Sequence, residues 1–355
     1  MTRGNSPRSA KAEKGKGKGK GKVTVGAASS TVISLDEPPK HSKFNLRSLF
    51  ASMVKSMRLW QWSKNVLMFV PFLFAQQYND LHKLSLGIIG FILFGLCASA
   101  TYIWNDLRDM HNDRKHPTKK NRPIAGGVLS QRSAKILSAV LLTLGVGGAY
   151  FLSNPAFLGF VVGYIVITVT YSFYLKRVLV IDVLVLSGLY TYRMFLGASL
   201  MDIGLSTWIL AFSMFFFLSL AFVKRYTELQ MMSHTSTTKL AGRGYLPLDA
   251  RLVETFGTSA GLIAVLVFAL YISSPTVKRI YLSPELLWLV CPLLLYWILR
   301  IWFLAIRGKL HEDPVVFAVK DFRSAMIGSA CVLIITVAAK WRSDGLIERV
   351  FHLVQ

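Results

Sequence analysis

Three aspartates at helical spacing could hold a divalent cation. Asp106, Asp109 and Asp113 recur at i, i+3 and i+7, so a helix would place their carboxylates on one face, with Asn105 close to Asp109. Like charges on one face repel each other, and no helix needs them for stability. A Mg²⁺ ion, which takes carboxylate and phosphate oxygens as ligands, would remove this repulsion. The spacing therefore favours a metal site for a phosphorylated substrate.

A basic loop follows the aspartates directly. Lys119, Lys120 and Arg122 lie in a stretch whose prolines and glycines favour an irregular conformation. Carboxylates, a metal ion and nearby cations together form a receptor for a diphosphate, because Lys and Arg bind the phosphate oxygens that the metal leaves free. A simpler interpretation stays open, since surface ion pairs are common. In it, the acids pair with basic residues of their own segment: Arg108, Arg114 and Lys115.

A second polar group lies between two later apolar runs. Tyr171 and Lys176 precede Asp182, which stands in an otherwise apolar stretch, and Arg193 lies deeper in the same run. Ionisable residues inside apolar segments are functional candidates, because burying them without a partner is costly. We expect Asp182 and Arg193 to face a polar cavity or an anionic ligand. Pairing of these two residues with each other is the alternative.

A further charged group opens the third loop. Lys224, Arg225, Tyr226 and Glu228 stand at the end of a predicted span, on the same side as the other polar groups. A last group is the least specific, and we interpret it as the cap of the final helix: His311, Glu312, Asp313, Lys320, Asp321 and Arg323.

The elements that position these residues are membrane spans. The chain has 355 residues, 53% of them hydrophobic, and a mean hydropathy of +0.46. Repeated apolar runs of about 20 residues match the thickness of a bilayer. They exclude a soluble α/β enzyme, a secreted disulfide scaffold and a simple DNA-binding domain. We predict an all-α polytopic membrane protein with about nine spans: 66–82, 84–104, 134–152, 156–174, 180–200, 207–223, 255–273, 286–305 and 325–340.

The loops between the spans differ strongly in charge. Four alternate loops (105–133, 175–179, 224–254 and 306–324) hold 18 Lys and Arg, whereas the opposite loops and the C-terminal tail hold 5. Cytoplasmic loops carry the positive excess in membrane proteins. We therefore predict that the protein lies in an inner or plasma membrane. The N-terminus and these four loops would face the cytoplasm. The odd number of spans then places the C-terminus outside.

The N-terminal residues 1–48 differ from the rest of the chain. They hold 11 of the 41 Lys and Arg, many of them alternating with glycine between 14 and 22. Such a segment cannot form a core, so we predict a disordered basic tail attracted to anionic lipid, followed by a transmembrane catalytic domain over 49–355. A nucleic-acid partner is not favoured, because no aromatic residues interleave the basic ones. The oligomeric state stays open, and a homo-oligomer is compatible with the sequence.

The aspartate segment carries a family resemblance. Residues 105–113 read NDLRDMHND and resemble the NDxxDxxxD signature of the UbiA superfamily of intramembrane prenyltransferases. Other segments make the chain similar to the decaprenyl-phosphate phosphoribosyltransferase branch of that superfamily: 61–65, 116–127, 171–176 with Asp182, and 224–228. One feature departs from the prenyltransferase pattern. The second aspartate-rich motif is replaced by Asp182 with Lys176 and Arg177 nearby, which suits substrates with more phosphate.

The resemblance implies a nine-helix bundle with its site on the cytoplasmic side. It also implies transfer of a 5-phosphoribosyl group from phosphoribosyl diphosphate to a polyprenyl phosphate, with Mg²⁺ on Asp106, Asp109 and Asp113. Asp106, Asp109 and Asp182 are the expected catalytic carboxylates. The expected substrate-binding residues are polar or cationic: Lys64, Asn105, Lys119, Lys120, Arg122, Tyr171, Lys176, Arg193, Lys224, Arg225, Tyr226 and Glu228.

Two other functions compete with phosphoribosyl transfer. A UbiA-type prenyltransferase would join an isoprenoid diphosphate to an aromatic or other acceptor, and it would use the same metal-bound diphosphate. The basic runs near 116–127 and 171–182 favour the phosphoribosyl branch over it. A transporter or lipid-binding protein would carry its charges at the midplane of the spans. Here the charges cluster toward one side, which disfavours that class.

Overall fold

The computed structural model describes residues 46–77, 79–115, 119–233, 243–310 and 313–341. Within these ranges the chain is helical and forms no strand, which confirms the all-α prediction. Most of the predicted basic tail lies outside the described residues, as do 116–118 of the basic loop and 311–312. The first described helix begins at Leu46, inside the segment predicted as tail.

Twelve α-helices and several short 3-10 helices follow one another along the described chain. The α-helices are α1 Leu46–Met57, α2 Val70–Phe74, α3 Leu81–Lys115, α4 Gln131–Phe151, α5 Pro155–Phe173, α6 Ile181–Met201, α7 Thr207–Ser233, α8 Ala250–Ile272, α9 Pro275–Ile280, α10 Val290–Ile306, α11 Pro314–Lys320 and α12 Phe322–Lys340. The 3-10 helices are Leu59–Phe69, Lys119–Asn121, Leu175–Arg177, Pro247–Asp249 and Pro284–Leu289.

Eight helices of the described chain are long and apolar enough to cross a membrane. They are α3, α4, α5, α6, α7, α8, α10 and α12, with α8 and α10 lengthened by the 3-10 turns before them. They coincide with the last eight predicted spans to within a few residues, apart from two helices that continue beyond their predicted ends. The helix α3 continues through the aspartate segment to Lys115, and α7 continues well beyond its predicted end.

The first predicted span, 66–82, is not a long helix. The chain instead forms the 3-10 helix Leu59–Phe69 and the single-turn α2, and Pro71, which has no backbone N–H, stands at the start of α2. This broken segment still runs the length of the bundle. Arg58, before it, forms an ion pair with Asp106, whereas Gln77, after it, accepts a hydrogen bond from Lys83 in the first turn of α3. Along α3, Asp106 and Lys83 are about 34 Å apart at a rise of 1.5 Å per residue.

Close backbone packing holds the broken segment against α6. Gly197 of α6 lies so near the backbone carbonyl of Met68 that a Cβ atom at this position would overlap it. Met68 is fully buried with Phe94 and Leu196, in a core built from α3, α5 and α6. The absence of a side chain at Gly197 therefore allows the 3-10 helix to lie in the bundle interior, where it carries Lys64 and Asn65 inward.

Two connections show how local sequence sets the helix ends. The turn after α4 ends at Asn154, whose side chain accepts a hydrogen bond from the backbone N–H of Phe157 at 2.9 Å, and Pro155 begins α5. Asp321 caps α12 in the same way through the N–H of Ser324 at 2.8 Å. Asp321 is therefore a cap of the final helix, as the sequence predicted for its charged group.

Candidate active site

The aspartate segment continues as a helix, so its carboxylates share a face of α3 as predicted. Asp106 and Asp113 are buried, and one guanidinium nitrogen of Arg122 lies 3.1 Å from Asp106 and 2.6 Å from Asp113. Arg58 forms a second ion pair with Asp106. Its backbone adopts a left-handed conformation, with φ 53°, between α1 and the 3-10 helix. Two arginines from different segments thus neutralise the buried carboxylates.

Asp109, the third carboxylate, is engaged by the loop between α5 and α6. The ammonium group of Lys176 lies 3.0 and 2.8 Å from its two oxygens. Burial lowers the pKa of Lys176, and the hydrogen bonds to Asp109 only partly oppose this effect. The interaction joins the basic residue of the second polar group to the first aspartate motif, as expected of a single site.

Local pairing of the aspartates with basic residues of their own helix is not what the structure shows. Arg108 instead donates hydrogen bonds to the backbone carbonyls of Ser172 and Phe173, at the end of α5. Arg114 donates to the carbonyl of Ala125 at 3.1 Å. These residues hold neighbouring segments together, while the carboxylates are neutralised by cations from distant parts of the chain.

A second buried ionic group surrounds Asp182 of α6. The Arg225 guanidinium lies 2.9 Å from Asp182, and neither side chain has any exposed surface. Arg243 also contacts Asp182, at 3.0 Å, and donates to the Tyr171 hydroxyl at 3.2 Å. Glu228 joins both arginines and is about one third exposed, at 32%. Burial would lower the pKa of Arg243, but the carboxylates of Glu228 and Asp182 raise it above its usual value.

A third group converges on Asp313, at the start of α11. The ammonium groups of Lys64 and Lys224 lie 2.9 and 3.0 Å from the same carboxylate oxygen, and the Tyr190 hydroxyl donates to the other oxygen at 3.1 Å. Burial alone would raise the pKa of Asp313, but the two lysines hold it well below its usual range. Two cations therefore share one carboxylate.

Arg193 is buried beside this group and makes no ion pair among the described residues. It donates to the side-chain oxygen of Asn65 at 3.2 Å and to the Tyr164 hydroxyl at 3.1 Å. Its guanidinium also lies over the rings of Phe94, Tyr164 and Tyr190, 5.4 to 5.8 Å from their centroids. The alternative in which Arg193 pairs with Asp182 is therefore wrong, because Asp182 is taken by two other arginines.

The remaining predicted site residues lie at the edge or outside these groups. Lys119 and Lys120 are exposed in the loop after α3. Asn105 lines a narrow crevice between α3 and α5. Tyr226 does not join the site, because it is buried against Trp302 with its hydroxyl bonded to Gln230.

The carboxylates of α3 suit Mg²⁺ by chemistry. All three offer oxygen ligands, and they stand on one helix face beside cations that could pass to phosphate oxygens. Within the described ranges, however, no three carboxylate, histidine or cysteine side chains converge as a ready-made metal site. The donor set fits a metal that would be shared with a bound diphosphate, and Asp106, Asp109 and Asp113 are the residues that would hold it.

Four members of the site were absent from the sequence-based prediction of site residues: Arg58, Tyr190, Arg243 and Asp313. Asn65 was also missed, although it follows Lys64 directly. One weak signal pointed to Asp313, because acidic residues are scarce in this chain, with 18 Asp and Glu against 41 Lys and Arg. The others needed knowledge of long-range contacts.

Comparison with known proteins identifies the family. A sequence model of the UbiA prenyltransferase family matches residues 66–326, well over half of the chain. The fold agrees. The structure of a UbiA homologue from Archaeoglobus fulgidus bound to GPP and Mg²⁺ is similar, with a TM-score of 0.59 and 16% sequence identity, over 81% of this chain and all of that chain. The same homologue bound to DMAPP and Mg²⁺ gives a TM-score of 0.59 as well. The chain belongs to the UbiA prenyltransferase family and is a membrane transferase.

Relatives within the family carry different names. The chain is 39% identical over 286 residues to a Sinorhizobium fredii protein, Uncharacterized protein y4nM, covering 79% of this chain and 55% of that protein. It is 32% identical to nodulation protein NoeC of Azorhizobium caulinodans, over 83% of this chain and 96% of that protein. It is 35% identical to decaprenyl-phosphate phosphoribosyltransferase of Mycobacterium tuberculosis, over 60% of this chain and 72% of that protein. The chain thus spans about half the length of the first of these relatives.

Proposed function

We propose that the chain transfers a 5-phosphoribosyl group from phosphoribosyl diphosphate to a polyprenyl phosphate. The product would be polyprenyl-phosphoryl-5-phosphoribose, a lipid-linked pentose precursor for the cell envelope. The mycobacterial relative named for this activity supports the proposal, at 35% identity over 218 residues. The positive excess of the loops near the site supports an inner- or plasma-membrane location with those loops in the cytoplasm.

One observation carries the choice of donor. Where the prenyltransferase pattern has a second group of aspartates, this chain places Lys176 on Asp109 and Arg243 on Asp182. The site therefore gains cations where a prenyl donor with a single diphosphate would be met by carboxylates and metal. Phosphoribosyl diphosphate carries a further phosphate at C5, and the acceptor lipid carries another. The added cations match the added phosphate groups.

The chemistry needs one bond to form and one to break at C1 of ribose. An oxygen of the lipid phosphate attacks C1 as the bond from C1 to the diphosphate oxygen breaks, so diphosphate leaves with its electron pair. C1 gains oxocarbenium character on the way, as at other glycosidic centres. The attacking phosphate is already anionic, so no general base is required.

Residues of α3 and of the neighbouring segments would bind the leaving diphosphate. Asp106, Asp109 and Asp113 would hold Mg²⁺, which supplies charge neutralisation for the diphosphate when bound. Arg122 and Lys176, which neutralise these carboxylates in the structure, would then bind diphosphate oxygens. The carboxylates would then be paired with the metal, and the two cations with the diphosphate. Such charge interactions are strong in a partly buried site.

The group around Asp182 positions the sugar. Asp182 and Arg225 have no exposed surface, so they reach a ligand only through Arg243 and Glu228. Glu228 would accept hydrogen bonds from ribose hydroxyls, and Arg243 would stand beside it with Tyr171. Asp182 thereby acts as a positioning residue for the guanidinium that it holds.

The test is direct transfer by purified protein. The protein would be incubated with Mg²⁺, phosphoribosyl diphosphate labelled in the ribose and a polyprenyl phosphate, and the lipid would be extracted and counted. We expect label in the lipid, lost on chelation of the metal and in Asp106→Asn and Asp109→Asn variants that melt at temperatures near that of the parent. A parallel reaction would offer an isoprenoid diphosphate with an aromatic acceptor. Consumption of that donor without any labelled ribosyl lipid would show a prenyltransferase instead.

A further inference from the structure

The group around Asp313 contains more hydrogen-bond donors than acceptors. Lys64 and Lys224 share one oxygen of Asp313, and the side-chain nitrogen of Asn65 is buried without a hydrogen-bond partner. Asn65 is only 1% exposed, and its oxygen is fixed as an acceptor by Arg193. A buried amide donor without a partner is costly, so the arrangement favours a ligand with several acceptor oxygens.

This group is distinct from the aspartates of α3. Asp106, Asp109 and Asp113 form ion pairs with Arg58, Arg122 and Lys176, and no ion pair of the described residues joins them to Lys64, Lys224 or Asp313. The Asp313 group and the aspartate group are therefore separate, and they differ in charge balance, because three cations match the three carboxylates of α3. At Asp313 the two lysines face a single carboxylate, which leaves a net positive charge before Arg193 is considered.

A groove leads to the group from the outside. It has a volume of about 390 Å³ and is lined by Trp60 and Gln61 of the first 3-10 helix and by Asp313, Val316 and Lys320 of the α11 region. Trp60 is about half exposed, at 48%. Trp60 and Val316 give the groove an apolar part, and Asp313 connects it to the two lysines, which suits an amphiphile with an anionic head.

We propose that Lys64, Asn65 and Lys224 form a phosphomonoester site that takes the head group of the acceptor lipid, and that Asp313 occupies this site until the lipid displaces it. The inference rests on the proposed function for the identity of the lipid. On binding, the lysines pass from one carboxylate oxygen to phosphate oxygens, and the Asn65 amide gains its missing acceptor. No covalent bond of the protein changes.

Kinetics with two substrates test the assignment. Lys224→Gln should raise the KM for polyprenyl phosphate about tenfold or more, because a charge-assisted hydrogen bond is lost, and leave the KM for phosphoribosyl diphosphate within twofold. Lys176→Gln, the matched lysine at the aspartate group, should do the reverse. A Lys224→Gln variant that raises only the KM for phosphoribosyl diphosphate, or neither KM, overturns the assignment.

A binding measurement keeps the two proposals apart. Affinity would be measured in detergent for a polyprenyl monophosphate, the matching neutral prenol, ribose 5-phosphate and inorganic phosphate. We expect the monophosphate lipid to bind at least tenfold more tightly than the prenol, more tightly in Asp313→Asn and less tightly in Lys224→Gln. Asn is itself a good helix cap, so Asp313→Asn should preserve the start of α11.

These measurements distinguish failure of the site proposal from failure of the proposed function. If this pattern appears but no ribosyl lipid ever forms, the lipid-phosphate site stands and the proposed function fails. If transfer occurs but neither variant changes the affinity for the monophosphate lipid, the site proposal fails alone. Tight binding of ribose 5-phosphate that depends on Lys224, with no dependence for the lipid, would overturn the choice of ligand.

Discussion

The ammonium group of Lys176 lies 3.0 and 2.8 Å from the two carboxylate oxygens of Asp109, across 67 positions of the sequence. The interaction ties the loop between α5 and α6 to the aspartate face of α3. It gives a carboxylate of the aspartate segment a cation from a distant part of the chain. In the proposed reaction this cation would pass to the leaving diphosphate.

The first prediction concerns this lysine. Lys176→Met should lower kcat/KM for phosphoribosyl diphosphate by about 10- to 100-fold, because it removes a charged hydrogen-bond donor from a partly buried site. Lys176→Arg should retain more activity than Lys176→Met, since it keeps the charge. The measurement is initial-rate kinetics at saturating polyprenyl phosphate. The neighbouring Arg177, which is exposed, gives the control Arg177→Gln, and an equal loss there would contradict a specific role for Lys176.

The second prediction concerns the fully buried pair of Asp182 and Arg225. Asp182→Leu should destabilise the folded protein by about 3–5 kcal/mol, because it leaves a guanidinium buried without its main counterion. The double variant Asp182→Leu with Arg225→Met should recover part of this loss. Thermal unfolding in detergent reports the effect. Arg243→Gln is the control, since that side chain is 20% exposed and should cost far less stability. Equal melting temperatures for Asp182→Leu and the parent would contradict the prediction.

The third prediction concerns the close approach of α6 to the 3-10 helix. Gly197→Ala should lower both the melting temperature and the transfer rate, because its Cβ would overlap the carbonyl of Met68 and push Lys64 and Asn65 out of place. Gly188→Ala in the same helix is the matched control, since nothing lies within 4 Å of a Cβ there. That control should be neutral or slightly stabilising, by helix propensity. Similar behaviour of the two variants would argue against the packing role.

The fourth prediction concerns pH. Hydrogen bonds from Arg300 lower the pKa of the Asp321 carboxyl to about 2, so this group stabilises the fold above its unfolded pKa of about 3.9 and loses that effect as the pH falls toward 2. Asp321→Asn should therefore melt below the parent at pH 6, and the difference should shrink at pH 3. Arg300→Gln should reduce the same difference at pH 6. A difference in melting temperature between the parent and Asp321→Asn that stays constant with pH would exclude the ionic contribution.

Periodicity and hydropathy were enough for much of the architecture. The spacing of Asp106, Asp109 and Asp113 determines their shared face wherever the chain is helical, and α3 is helical there. Apolar runs likewise located the eight long helices, because the length of a span is set by the bilayer. The broken first span was different. Its place in the bundle depends on the close approach of α6 at Gly197, more than 100 residues away in the sequence, and no local pattern reveals that contact.

Ionic partners were harder to predict than the elements that carry them. The sequence shows which residues are charged, but Asp313 meets Lys64 across 249 positions and Asp182 meets Arg243 across 61. Tertiary packing brings such residues together, and the local sequence pattern around each residue does not identify its partner. The same reason explains the mistaken alternative for Arg193, whose partners are the neutral groups of Asn65 and Tyr164.

In the proposed lipid-phosphate site, the carboxylate shared by Lys64 and Lys224 is an intramolecular competitor. Because it is attached to the same chain, its effective concentration is roughly millimolar or more, and it weakens the apparent affinity of every free anion. Soluble phosphates at low concentration would therefore bind poorly. A lipid confined to the membrane plane is concentrated beside the groove and would fill the site more readily. The occupancy of the site would then follow the density of lipid phosphate in the bilayer, and transfer would slow as that pool is depleted.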